Sequence, residues 1–136
     1  EILTVKYPGA IITMDTAFYY HGLTDIIPGI YFLATDSHAR IIKDSRVHQV
    51  YEIKKYLELG VFETERRGIR FRMYDRERML IELLRNKNKL PYDYYKEILG
   101  NYRSLIYDLD IERIQDYAAT FPKSKMITTA LEAEVF

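Results

Sequence analysis

The sequence predicts an α+β fold: a small antiparallel or mixed sheet with a central hairpin, packed against an N-terminal helix and a C-terminal group of about four helices. Three observations predict it. Apolar, β-rich runs and a hairpin pattern fill the chain as far as Tyr74. Helical periodicity, punctuated by Asp75, Pro91, Asp110 and Pro122, fills the rest. The 136 residues suit a single domain (1–136), long enough to bury a core without disulfides or metals.

Taken in order, residues 9–12 lead into a helix capped by Thr13, with Ala17, Phe18 and Tyr20 turned inward and Gly22 as the C′ residue. Residues 29–35 (GIYFLAT) form a β-rich apolar run and predict a buried strand. Residues 39–43 suit either a short strand or a loop. Residues 46–53 (RVHQVYEI) alternate imperfectly and predict a strand.

The region 60–84 (GVFETERRGIRFRMYDRERMLIELL) is the most informative part of the chain. Arg67-Gly68 makes a two-residue turn, with Gly68 supplying a positive φ. Counting outward, Arg66 faces Ile69, Glu65 faces Arg70, Thr64 faces Phe71, Glu63 faces Arg72 and Phe62 faces Met73. One face then carries two opposite-charge pairs and the other is mostly apolar. A one-residue slip would bury the charges, so this register is strongly specified. Asp75 is the expected N-cap of a helix whose Met79, Leu80, Leu83 and Leu84 recur at helical spacing. Helices are expected at 76–86, 91–99, 111–120 and 123–133, with Pro91 in a first turn and Asp110 as a cap.

Net charge is zero. Residues 60–90 hold nine Lys/Arg against five Asp/Glu, whereas residues 91–136 hold five against eight. Such a balance argues against dominant nonspecific nucleic-acid binding and leaves room for a modest basic face. No cysteine is present, which removes disulfides and thiolate metal sites. No apolar run approaches the roughly 20 residues of a membrane helix, and no signal-peptide pattern opens the chain. A cytoplasmic location is the expectation. The chain begins with Glu, so it is read as a trimmed product or a piece of a longer protein.

Enzyme chemistry finds little footing, and neither cofactor nor metal is expected. His21, His38 and His48 have no spacing that places two on one helix face. His21 is expected to end a helix, its cationic form facing the dipole. Glu52-Ile53-Lys54 has the carboxylate-x-lysine spacing that nucleases use around a metal, and gives the alternative of a metal-dependent nuclease. Asp108-Leu109-Asp110 has the spacing of a nucleotidyltransferase metal pair, but Asp110 reads as a helix cap.

Arg66, Arg67, Arg70, Arg72 and Arg76 form the candidate contact surface for phosphate or a partner. Arg70 and Arg72 are expected to pair with Glu65 and Glu63 on a solvated face. Arg66, Arg67 and Arg76 then remain for DNA phosphate or an acidic partner. Arg78 is assigned a conformational role at the start of its helix. Tyrosine is the compositional outlier, at 13 residues. It suits interfaces and core rims alike. On the helix from Pro91, Tyr92 and Tyr95 share a face with Leu99, and Tyr94 points elsewhere.

Four stretches together resemble the AbiEi-type antitoxins and repressors of abortive-infection (type IV) toxin–antitoxin systems. YDRERMLIELLRNKNKL resembles that family's "D-R-E-R-T-L-x-D-L-L-R" segment. ITMDTAFYYHGLTD is similar to its "T-x-x-S-A-L-x-x-H-G-L-T-D" helix, and PGIYFLATD to its "P-x-x-I-Y-L-A" strand. DIERIQDYAATFPKSKMITTALEAEVF is similar to its closing helices. Thr16 stands where the family has Ser, and Met79 where it has Thr. The resemblance runs from about Tyr7 to the end. It implies a non-enzymatic C-terminal domain that supports operator repression and counteracts a nucleotidyltransferase-like toxin. It also implies an N-terminal winged helix-turn-helix domain, absent from this sequence, that reads operator DNA. A stand-alone DNA or protein interaction module is the remaining alternative.

Overall fold

Ile11 and Ile12, a strand of only two residues, hold the middle of the sheet. In the computed structural model, which describes residues 6–136, the elements run β1 (Ile11–Ile12), α1 (Met14–Tyr20), β2 (Tyr31–Asp36), β3 (Val47–Glu52), α2 (Lys54–Leu57), β4 (Val61–Arg66), β5 (Ile69–Tyr74), α3 (Arg76–Arg85), α4 (Tyr92–Ser104), α5 (Ile111–Thr120) and α6 (Ser124–Glu134). Short 3-10 turns at Lys87–Lys89 and Ile106–Asp108 flank α4. The strands form one mixed sheet in the order β3-β2-β1-β5-β4. β1 joins its halves, antiparallel to β2 and parallel to β5, and both its side chains are buried. The α+β class and the mixed sheet are as the sequence predicts, but the hairpin forms one edge of the sheet rather than its centre, because the short β1 takes the middle place.

The hairpin has the predicted register, from Phe62 opposite Met73 to Arg66 opposite Ile69. Both turn residues have positive φ, 54° at Arg67 and 81° at Gly68. That conformation matches the right-handed twist of the paired strands.

β2 and β3 run parallel, joined by residues 37–46 without a helix. The stretch 39–43 is loop, and Gln49 fastens it to the sheet. Its amide oxygen accepts from the Ile42 N–H at 2.7 Å, while its Nε2 donates to Thr35 Oγ1 at 2.8 Å and to the Arg40 carbonyl at 3.1 Å. Nothing in the alternation of 46–53 marks this glutamine as a fastener.

α3 lies at the centre of the core. Met79, Leu80, Ile81 and Leu83 are all fully buried, so the helix is enclosed nearly all round, as an element covered on several sides must be. α4 contributes Tyr95, Ile98, Leu99 and Tyr102, and α5 contributes Ile114 and Ala118. α6 adds Ile127 and Leu131. Two expectations change here. Pro91 occupies the cap position before α4 rather than its first turn. Tyr92 is 66% exposed, unlike Tyr95 and Leu99 on the same face, because it lies at the helix start beyond the reach of the core.

Candidate functional site: the arginine hairpin and its joints

The five candidate arginines do not form one patch. Strand β5 spans six residues, so the tip and base of the hairpin lie roughly 20 Å apart. Arg66 and Arg67 are at the tip. The Arg66 guanidinium lies 4.3 Å from the Tyr20 ring centroid, and both arginines line a cleft with Tyr19, Tyr20 and Tyr31. Arg76 is at the base, where its Nη2 reaches the Asp108 carbonyl at 3.4 Å.

Arg70 and Arg72 sit between, on the opposite face from Arg66, because alternate strand residues point to opposite sides. Their ion pairs correct the expected ones. Arg70 faces Glu65 across the ladder but binds Glu63 at 2.9 Å, along the diagonal. Arg72 faces Glu63 yet pairs with Glu58, just after α2, and reaches the Gly9 carbonyl at 3.4 Å. A long guanidinium arm reaches past its facing residue, so backbone register does not fix the ion pair. The Arg70–Glu63 pair is largely solvated and adds little to stability.

Arg78, assigned a conformational role, has a larger one than the sequence suggested. Its side chain is fully buried. Nη1 donates to the carbonyls of Tyr56 at 2.6 Å and Leu59 at 2.7 Å, closing the turn between α2 and β4. Nε binds Glu82 at 3.0 Å and Nη2 binds Glu52 at 3.3 Å. The guanidinium also lies over the ring of Tyr74, 4.2 Å from its centroid. Arg85 shares both carboxylates, at 2.7 Å to Glu82 and 3.4 Å to Glu52. Burial works to lower the Arg85 pKa, but Glu82 and Glu52 outweigh it and the net direction is up. Glu52, the carboxylate of the nuclease alternative, is therefore engaged by two guanidiniums. Glu52 ends β3, whereas Lys54 opens α2.

Gly60 makes this clasp possible. Its φ is +82°, and a Cβ there would fall 2.7 Å from the Arg78 Cβ and 3.2 Å from the Tyr117 ring. Its carbonyl accepts from the Asp75 N–H at 2.8 Å.

Asp75 caps α3 as expected, accepting from the Arg78 N–H at 2.7 Å, and its other oxygen accepts from the Tyr117 hydroxyl at 2.8 Å. Burial raises its pKa against those two bonds. Asp110 caps α5, accepting from the Arg113 N–H at 3.0 Å, while its own N–H donates to Glu77 at 3.1 Å. Thr13 departs from expectation. It precedes α1, but its hydroxyl makes no cap bond and instead lies 3.9 Å from the Met79 sulfur.

His21 ends α1 as expected, in a different charge state. Its Nε2 donates to the Tyr74 carbonyl at 2.7 Å and its ring stacks on Phe62. Burial lowers its pKa more strongly than that bond raises it, so the neutral form is favoured over the expected cation. His38 is exposed, and His48 packs against Phe32 with ring centroids 4.9 Å apart.

Among the described residues, no group of three or more His, Asp and Glu side chains is arranged to hold a metal ion. Likewise, no helix among them is long and apolar enough to cross a membrane. Compared with protein-family models and with curated proteins, the chain matches none.

Proposed function

We propose that this chain is the C-terminal domain of an AbiEi-type antitoxin and transcriptional repressor, acting in the cytoplasm to support operator repression and to counteract a nucleotidyltransferase-like toxin. One observation carries the reading. The four stretches that resemble the family are hydrogen-bonded to one another in series. Thr16, in the first, accepts from the Phe32 N–H of the second at 2.9 Å. His21, also in the first, donates to the Tyr74 carbonyl of the third. Asp75, in the third, accepts from Tyr117 of the fourth. These bonds support the reading by joining the four stretches within one domain, two of them through side chains that the resemblance includes, Thr16 and His21, bonded to main-chain groups.

The two departures fit the same reading. Thr16 keeps the hydroxyl that Ser would supply, and uses it. Met79 lacks the family's hydroxyl, and its thioether receives Thr13 instead. On this reading the domain is a scaffold. Arg66 and Arg67 at the hairpin tip give auxiliary contacts to operator phosphate, which the absent N-terminal domain reads in sequence.

The test is genetic. The complete gene should encode a winged helix upstream of this chain, with a nucleotidyltransferase-like gene beside it. Co-expression with that neighbour should relieve growth arrest, and continued arrest at matched expression would overturn the proposal. Reversing the charge of Arg66 and Arg67 together should weaken operator binding about evenly across operator sequences.

A further inference from the structure

A second basic surface lies away from the hairpin, built by residues far apart in sequence. α6 buries Ile127 and Leu131 on its inner side. Its flank carries Met126, Thr129, Ala130 and Ala133, spaced three and four apart so that they form one stripe. With Leu84 and Tyr95 this stripe lines a groove of 970 Å³ between α6, the end of α3 and the start of α4. Met126 is 59% exposed. Alanines and a threonine along the flank leave room for another backbone to lie close.

The rim is mainly basic. Lys87, Lys123, Lys125 and Arg85, the last already paired with Glu82 and Glu52, line it, and the acid among the lining residues is Glu134. That acid is engaged twice within the chain, by Lys87 at 3.2 Å and by the Tyr95 hydroxyl at 3.1 Å. Lys123 and Lys125 make no ion pair among the described residues. A smaller hollow shares Lys87, Tyr95 and Glu134 with the groove and adds Lys96 and Arg103. The positive surface therefore continues past Glu134.

We infer that this groove docks an acidic amphipathic helix of a protein partner. An apolar floor with small side chains accepts the apolar face of a helix, and a cationic rim accepts glutamates or aspartates flanking that face. A second copy docked groove to groove is disfavoured, because it would bring the same cations to the same rim. A nucleic-acid duplex would satisfy the rim but leave the methyl-lined floor uncovered. The inference stands independently of the antitoxin proposal.

The experiment uses the 136-residue chain and a model peptide of about five helical turns, with leucine at i, i+3, i+4 and i+7 and glutamate elsewhere. A matched peptide carries lysine for glutamate. Amide spectra of the chain are titrated with each, and with a short DNA duplex. The acidic peptide should shift the amides of Met126 to Ala133 and of Leu84 to Lys87, with a Kd of about 10–100 μM that weakens with salt. The joint variant Lys123→Glu, Lys125→Glu should weaken it roughly tenfold or more. Met126→Asp should weaken it separately. Both act at exposed positions, and unchanged melting would show that the fold is kept. No shift at millimolar acidic peptide, equal binding of the lysine peptide, or displacement of the peptide from these amides by the duplex would each overturn the inference.

Discussion

The α-carbon of Gly60 lies directly against the side chain of Arg78, and the fit leaves no room for a methyl group between them. The glycine does two things there. It takes a left-handed φ of +82°, and it lets the turn before β4 close over a buried guanidinium. Gly60→Ala should therefore cost about 2–4 kcal/mol, combining the positive-φ penalty with displacement of the Arg78 backbone. Urea denaturation reads it. Gly100→Ala is the control: Gly100 is helical and a Cβ there meets nothing within 4 Å, so this change should be neutral or slightly stabilising.

Arg78→Met should destabilise by about 3–5 kcal/mol, because it strands Glu52, Glu82 and two carbonyls in a low-dielectric site. Arg85 still reaches both acids, which keeps the loss toward the lower end. Arg78→Lys should recover less than half of it, since one ammonium cannot copy the planar fork. Equal stability of Arg78→Lys and the natural chain in urea would show that the clasp needs charge alone.

The hairpin tip offers a change in the other direction. Arg67 holds φ at 54°, where asparagine is at less cost than arginine. Arg67→Asn should raise stability by about 0.5–1 kcal/mol while removing a tip cation. Thermal melting checks the first effect. Loss of operator affinity in the same stabilised variant would then separate contact from folding.

His21 gives the fold a pH dependence whose sign follows from its direction of shift. Its folded pKa lies below the unfolded value of about 6.5. Between the two, the unfolded chain binds more protons. The stability contributed by neutral His21 is therefore fully present above 6.5 and lost as pH falls through the folded pKa. Asp15 and Asp75 run oppositely: burial raises both, so their contribution is present below about 3.8 and lost as pH rises through their folded values. The His21 part is isolated by comparison with His21→Gln. Urea midpoints at about pH 7.5 and 5.5 should differ more in the natural chain than in the variant. Equal differences would show that the ring is not desolvated.

Local chemistry made much of the fold readable. The register of 61–74 followed from the turn at Arg67-Gly68 and from the charges at 63, 65, 70 and 72, which a one-residue slip would turn into the core. The caps at Asp75 and Asp110 followed from one side chain and the N–H three residues on. The ion pairs of Arg70 and Arg72 did not follow, since their partners depend on how far a flexible arm reaches. The basic groove beside α6 was hidden for another reason. Lys87 falls in a basic stretch, while Lys96, Arg103, Lys123 and Lys125 fall in an acidic one. Counting charge along the chain averages away a surface assembled across it.

By itself the sequence determined the α+β class, the hairpin and its pairing, the two capped helices and the cationic character of the turn, because each depends on neighbours within a few residues. Tertiary structure decided the place of Ile11 and Ile12 at the centre of the sheet, the burial of Arg78 beneath Gly60, the neutral state of His21 and the groove beside α6. These depend on which distant groups share a low-dielectric space, and the cost of burying charge or backbone is set only when that space closes.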